Sequence, residues 1–250
     1  MSVTTASDLA SLRVKVFADG ADLDEIARLA ANPLIRGFTT NPTLMRKAGV
    51  PDYRAFASEA LPLVTGRPIS FEVFSDELDE MERQAHEIAS WGANVFVKIP
   101  VTNTEGVFSG PLVKRLVDAG VRVNVTAVLT AEQVGRVAEC LSAGVPSFVS
   151  IFAGRIADTG RDPMPVIAEA LGLLRDNRTA ELIWASPREL LNLFQASEVG
   201  CHVITATADI LGKLPLVGKS LETVSLETVR MFRRDAVEAG YTIDVLRRTV

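Results

Sequence analysis

Eight short apolar, β-branched runs recur along the chain with helical patterns between them, and this rhythm limits the fold more than any other feature. The runs are Val14–Asp19, Gly37–Asn41, Ile69–Phe74, Val95–Pro100, Arg122–Val128, Ser147–Phe152, Glu181–Ser186 and Cys201–Thr207. Most hold few polar residues until their last one or two positions, as strands buried on both faces by flanking helices do. Between them, Asp76–Trp91 is acidic at its start and apolar at Leu78, Met81, Ala85, Ile88 and Ala89. That spacing draws one apolar stripe along a helix, with acids placed to favour its N-terminal dipole. Gly92 is positioned to end it. Thr130–Ala143 repeats the pattern, with Thr130 as N-cap and Gly144 following. Ser75 offers a further cap after the third run, and Pro187–Ala196 and Leu221–Ala239 read as further helices. Alternation of this kind specifies parallel βα units. Eight units close a barrel, whereas five or six leave an open doubly wound sheet, and no GxGxxG follows the first run to support a dinucleotide-binding version. The expected fold class is α/β: a single (β/α)8 TIM barrel domain over residues 1–250 with a C-terminal helix, a length such a barrel commonly uses.

Composition narrows the function classes. Hydrophobic residues make up 48% of the chain and charged residues 23%, so a core can form without staples. The net charge of -5 argues against a nucleic-acid binder, which would present a basic face, but leaves room for a small anion held by a few arginines. Cys140 and Cys201 lie far apart without metal-ligand spacing, so no disulfide framework is expected. The first residues, MSVTTASDLASLRVKVF, lack the apolar core of a signal peptide, and no run of about 18 apolar residues occurs. No membrane partner is expected, and the expected location is cytoplasmic.

In a (β/α)8 barrel the site lies at the C-terminal ends of the strands. Those ends carry Asp19, Thr40 and Asn41, Glu72, Lys98, Asn124 and Thr126, Ser150 with Arg155, and Ser186 with Arg188. Each alone has an ordinary explanation; their convergence on one mouth points to a site. Lys98, inside Val95–Pro100, stands out because lysine is rarely buried. A desolvated lysine beside a cation has its pKa pushed down, and the neutral amine attacks a carbonyl to form an imine. A structural alternative is a lysine that snorkels to the rim or pairs with Asp19 or Glu72. Glu72 and Asp19 suit the proton transfers that imine chemistry needs, or else neutralise Lys98. Thr126 either positions a water near Glu72 or fills the core. Arg155 and the Ser186–Pro187–Arg188 turn read as an anion site, with Ser186 just ahead of the helix after the seventh run; a surface arginine and an N-cap serine are the plainer reading. His86 falls on an amphipathic helix and His202 at the far barrel end, and with no third ligand beside either, no metal site is expected.

The same residues stand in spaced motifs that resemble the transaldolase family. Gly37–Phe38–Thr39–Thr40–Asn41–Pro42–Thr43 is similar to its second-strand signature, and Val97–Lys98–Ile99–Pro100–Val101–Thr102 with Glu105–Gly106 to the segment that holds its Schiff-base lysine. Val123–Asn124–Val125–Thr126 and Ser150–Ile151–Phe152–Ala153–Gly154–Arg155–Ile156 resemble its fifth- and sixth-strand motifs, so the likeness runs from Val14 to about Ile243. The resemblance implies that Lys98 forms an imine with a ketose donor and that Asp19 moves a proton at the bond being broken. Glu72 and Thr126 would hold the catalytic water. Asn41 and Asn124 would bind the dihydroxyacetone unit, with Thr40, Ser150 and Phe152 nearby, and Arg155, Ser186 and Arg188 would bind phosphate. It implies phosphorylated sugars as substrates and no metal or organic cofactor.

The family divides into transaldolases and fructose-6-phosphate aldolases. The aldolases have a glutamine where this chain has Glu72 and a tyrosine where it has Phe152, and both positions here match the transaldolases. The Trp184–Arg188 motif is more compact than in the small aldolases, and Asp158–Pro163 adds Arg161; Arg13 and Arg36 fall at the other end or on the surface. The expected reaction transfers dihydroxyacetone from fructose 6-phosphate or sedoheptulose 7-phosphate to an aldose phosphate. A four-carbon acceptor gives a seven-carbon ketose, and a pentose phosphate gives an octulose phosphate. Alternatives are an aldolase releasing free dihydroxyacetone, an isomerase using Lys98 as a general base, and a non-catalytic sugar-phosphate binder. Leu226, Val229 and Phe232 share one face of the last helix, which either packs in the core or, as in small family members, on a neighbouring subunit, so a homo-oligomer is expected.

Overall fold

The structure, a computed structural model, describes residues 9–243. Eight parallel strands form a closed barrel in sequence order, β8 returning to pair with β1. The chain runs β1 (Lys15–Asp19), α1 (Leu23–Ala30), β2 (Ile35–Thr39), α2 (Pro42–Lys47), α3 (Tyr53–Val64), β3 (Ile69–Glu72), α4 (Leu78–Ala89), β4 (Val95–Pro100) and α5 (Gly110–Asp118). It continues through β5 (Val123–Val128), α6 (Ala131–Ala138), β6 (Ser147–Ile151), α7 (Ala153–Asp158), α8 (Met164–Leu174), β7 (Ala180–Trp184), α9 (Leu191–Val199), β8 (Val203–Thr207), α10 (Ala208–Leu211) and α11 (Leu221–Glu238). The expected (β/α)8 architecture is therefore the observed one. Closure gives every strand two neighbours, so the sheet has no open edge.

Caps set several helix starts. The Asp22 carboxylate accepts from the Glu25 N–H at 2.8 Å, and Asp52 accepts from Arg54 and Ala55, both at 2.9 Å. Thr130 caps α6, as the sequence suggests, and forms a reciprocal capping box with Gln133. Ser75 does not cap α4: the cap position is Glu77, and Ser75 Oγ only accepts from the Glu77 N–H at 3.3 Å. The expected second strand ends two residues early because Asn41 caps α2 and Pro42 begins it. The expected helix Pro187–Ala196 is displaced to Leu191–Val199 and ends on Gly200 at φ 82°.

Strand alternation explains what fills the barrel. Phe17 and Asp19, Phe96 and Lys98, and Phe148 and Ser150 are two residues apart, so each pair shares a face. The three phenylalanines pack in one buried cluster with Ile183, Ala185 and Val203. Phe148 meets Phe17 edge-on at 5.7 Å between ring centroids and Phe96 at 4.3 Å. An apolar floor thus lies one layer below the polar strand ends. Gly37 on β2 makes room for it: a Cβ there would lie 2.5 Å from the Phe17 ring.

The described residues fall into two compact units, the barrel over Ala10–Leu214 and a second that holds α11. Ser220 caps α11 by accepting from the Thr223 N–H at 3.2 Å. No residue of α11 is buried, and Leu226, Val229 and Phe232 are exposed. Among the described residues, no helix is long and apolar enough to cross a membrane.

Gly37→Ala is expected to destabilise the protein by about 1–3 kcal/mol, the usual cost of overfilling a packed core. Urea unfolding measures it, and a variant as stable as the parent would mean the Phe17 ring has space to retreat.

Candidate active site

A cavity of about 580 Å³ opens at the C-terminal ends of the strands. Of the residues singled out from sequence, Asp19, Asn41, Glu72, Lys98, Thr126, Ser150, Phe152, Arg155, Ser186 and Arg188 line it. Thr40 and Asn124 are buried and do not reach its wall.

Lys98 is only 5% exposed. Its Nζ lies 2.9 Å from Glu72 Oε2 and donates to the Thr40 carbonyl at 2.8 Å. Glu72 and Lys98 are register partners on β3 and β4, so the strand pairing itself sets them side by side. Of the neighbours weighed from sequence for Lys98, a cation or the carboxylates of Asp19 and Glu72, Glu72 is the one that pairs with it. Thr40 serves through its backbone, while its hydroxyl donates to the Ser70 carbonyl at 2.9 Å.

Asp19 lines the same cavity and accepts from Thr39 Oγ1 at 2.7 Å. Thr205 Oγ1 is 2.6 Å from Thr39 Oγ1 and must be the donor there, because the Thr39 proton goes to Asp19. Burial pushes the Asp19 carboxyl above the ordinary carboxylate value. The positive charge of Lys98 and the Thr39 hydrogen bond oppose the shift, and the negative charge of Glu72 adds to it. Two carboxylates thus share one mouth in different settings, one ion-paired to the lysine and one pushed toward holding a proton.

The wall between β3 and β6 is a hydrogen-bonded relay. Asn124 Nδ2 donates to Ser70 Oγ at 3.1 Å, and Ser150 Oγ donates to Asn124 Oδ1 at 2.7 Å. Asn124 therefore holds Ser150 from behind. Asn41 caps α2 by accepting from the Leu44 N–H at 3.0 Å, which leaves its amide N–H groups at the cavity wall.

Backbone irregularities aim two further groups. The β5–β6 register shifts between Val125 and Val128, and Ala127 within that bulge has φ 60°. Thr126 beside it lines the cavity, and its Oγ1 is buried with no hydrogen-bond partner among the described residues. Ser186 has φ 57°, a left-handed conformation uncommon for serine. Gly154 permits that turn, since a Cβ there would lie 1.6 Å from the Ser186 carbonyl oxygen. Ser186 is not a helix cap, because α9 begins only at Leu191.

The cations stand differently from one another. Arg188 is ion-paired with Asp158, its Nε donating to Oδ1 at 3.0 Å, which fixes its guanidinium plane. Arg155, exposed on α7, faces the cavity without a carboxylate partner among the described residues. Phe152 is half-buried against the aromatic floor. Sequence reasoning passed over Thr39 and Thr205, which steady Asp19, and over Lys47, Thr207 and Asp209 on the rim. Hydroxyls at Thr39 and Thr205 inside otherwise apolar runs were the available signal.

Arg13 and His202 lie away from this mouth, beside Lys15 and Glu181 in a separate hollow. His202 Nδ1 accepts from the Leu182 N–H at 2.9 Å, and burial holds its pKa below the ordinary value. Arg36 and His86 are exposed.

Fold and site together define a parallel (β/α)8 barrel whose mouth joins a buried lysine to two carboxylates and an arginine pair. The sequence profile of the family described as "Transaldolase/Fructose-6-phosphate aldolase" matches residues 16–246. The chain is 37% identical over 214 residues to "Probable transaldolase 2" of Listeria monocytogenes serovar 1/2a, covering 84% of this chain and 93% of that protein. It is 35% identical over 214 residues to "Probable transaldolase" of Herpetosiphon aurantiacus, with 84% and 92% covered. A "Probable transaldolase" of Thermoanaerobacter sp. is 34% identical over 231 residues, with 92% and 100% covered. Among solved structures, a mutant flavocytochrome b2 with benzoylformate is similar at TM-score 0.53 and 13% identity, covering 81% of this chain and 59% of that one, a likeness of fold alone. The chain belongs to the transaldolase/fructose-6-phosphate aldolase family and is an enzyme of the transaldolase kind.

Because the folded pKa of Asp19 is raised, the folded state holds this proton more tightly than the unfolded chain does. Its contribution to stability is therefore present at low pH and lost as pH rises through the interval above the ordinary carboxylate value. Asp19→Asn is expected to raise Tm at pH 7, and the gain should shrink toward pH 4. A Tm difference independent of pH would contradict the raised pKa.

Proposed function

We propose that this enzyme transfers a dihydroxyacetone unit from a ketose phosphate, fructose 6-phosphate or sedoheptulose 7-phosphate, to an aldose phosphate through a Schiff base on Lys98. The observation that carries this reading is the buried Lys98 Nζ at a cavity it shares with Glu72, 2.9 Å away, and with Asp19.

The steps follow from those positions. Glu72 takes a proton from the Lys98 ammonium, and the amine attacks the ketose C2 carbonyl. Glu72 gives that proton to the carbinolamine hydroxyl, which leaves as water held by Glu72 and the Thr126 hydroxyl, and the protonated imine forms. Asp19 takes the proton of the C4 hydroxyl, the C3–C4 bond breaks, and its electron pair enters the imine to leave an enamine. The shortened aldose phosphate departs. The enamine carbon then attacks the carbonyl of a second aldose phosphate, Asp19 returns its proton to the new hydroxyl, and water releases product and Lys98. Arg155 and Arg188 hold the sugar phosphate beside Ser186, Arg188 as a fork preset by Asp158. Asn41 and the Ser150–Asn124 relay orient the dihydroxyacetone hydroxyls.

Glu72 and Phe152 favour transfer over release, since the aldolases of the family have glutamine and tyrosine at these positions. With no tyrosine hydroxyl at Phe152 to protonate it, the enamine waits for an aldehyde. An acceptor of four or five carbons fits this chemistry, the latter giving an octulose phosphate. We assign the enzyme to the cytoplasm and to a homo-oligomer, the latter on the exposed apolar face of α11.

Incubation with fructose 6-phosphate and borohydride should add a reduced three-carbon or sugar mass to Lys98, located by peptide mass spectrometry. Lys98→Ala should trap nothing and lose transfer by a factor on the order of 10⁴ or more, as the loss of a covalent nucleophile does. A mutant with parental transfer would sink the Schiff base, and free dihydroxyacetone made at the same rate without acceptor would establish the aldolase instead.

A further inference from the structure

The ladder between β2 and β3 breaks off where the site begins. Phe38 N–H donates to the Pro68 carbonyl at 2.8 Å and Thr40 N–H to the Ser70 carbonyl at 3.1 Å. Continued by two residues, the same stagger would send Glu72 N–H to the Thr40 carbonyl and the N–H of residue 42 to the Glu72 carbonyl. Neither bond is made. The Thr40 carbonyl accepts from Lys98 Nζ at 2.8 Å, and residue 42 is a proline without an N–H.

Both orphaned groups of Glu72 are met by one side chain. The Tyr53 hydroxyl accepts from the Glu72 N–H at 2.7 Å and donates to the Glu72 carbonyl at 2.9 Å. Tyr53 is the first residue of α3, whose N-terminus Asp52 caps, and its ring stands edge-on to Phe71, Phe74 and Trp91 at 5.6–6.1 Å. Trp91 Nε1 in turn donates to Glu87 at 3.1 Å. Helix cap and aromatic cage together fix where the hydroxyl sits.

We propose that Tyr53 is a positioning residue for Glu72: its hydroxyl replaces the missing strand partner, holds the end of β3 in register, and leaves the Thr40 carbonyl to Lys98. The proposal rests on the reading of Lys98 and Glu72 given above. Burial pushes the Tyr53 phenol above its ordinary range, so it keeps the single proton that this donor-and-acceptor role requires. Tyr53 touches no substrate; it acts through the Glu72 backbone on where the carboxylate meets Lys98.

The test compares Tyr53→Phe with Ile167→Val, which trims the buried face of α8. Transfer activity, as kcat and KM, and Tm are read in the full chain after borohydride trapping on Lys98 has been shown in the parent. Tyr53→Phe should lower kcat about tenfold with KM for fructose 6-phosphate changed less than twofold. Ile167→Val should lower Tm while keeping parental kcat. In the Glu72→Gln background, Tyr53→Phe should change kcat no further. A parental kcat for Tyr53→Phe, equal kinetic losses in Ile167→Val, additive losses in the double mutant, or a Tyr53→Phe protein that does not fold would each overturn the proposal. Absence of trapping in the parent would instead bring down the Schiff-base reading beneath it.

Discussion

A lysine ammonium withdrawn from water needs an anion and an acceptor within reach, and much of this barrel mouth is arranged to meet that need. Lys98 finds Glu72 because the two are register partners on adjacent parallel strands, and it finds the Thr40 carbonyl because β2 stops pairing there. The consequences spread outward. Beyond Thr40 the chain turns at Asn41 into α2, and the end of β3 takes its hydrogen bonds from Tyr53. Such a buried pair adds little net stability, because desolvating both charges offsets their attraction. Its place beside a cavity is better explained by chemistry.

Local departures from regular geometry gather around the same cavity. Ala127 and Ser186, with φ near 60° in the left-handed region, both line it. Each left-handed residue costs on the order of 1–3 kcal/mol unless its surroundings enforce it. At Ala127 the enforcement is the bulge between β5 and β6, which turns Thr126 to the cavity. At Ser186 it is the close approach of α7, possible only because residue 154 is glycine. Below, the cluster of Phe17, Phe96 and Phe148 excludes water from the foot of the charged layer. The cost of ionising Asp19 follows from that dryness more than from any neighbouring charge.

Much of the architecture was legible because the period-two pattern is local. Strands such as Val95–Pro100 could be bounded from their residues alone, and polar residues ending otherwise apolar runs marked Asp19, Lys98 and Ser150. Boundaries failed where tertiary contacts decide them. Ser186 reads as a cap, yet the helix starts five residues later, and Ser75 is passed over for Glu77. Tyr53 gives no sign in the sequence of reaching Glu72, since 19 residues separate them and only the packing of α3 against β3 closes the gap.

The sequence by itself determined the eight-fold βα alternation, the polar strand ends and the family, because each is written in short-range pattern and motif. Only the tertiary structure decided which carboxylate pairs with Lys98, that Arg188 is preset by Asp158 while Arg155 is not, and that Asn124 stands behind Ser150 instead of on the cavity wall. Those outcomes depend on the register between strands distant in sequence. Register is fixed by closing all eight strands at once, so no single segment can encode it.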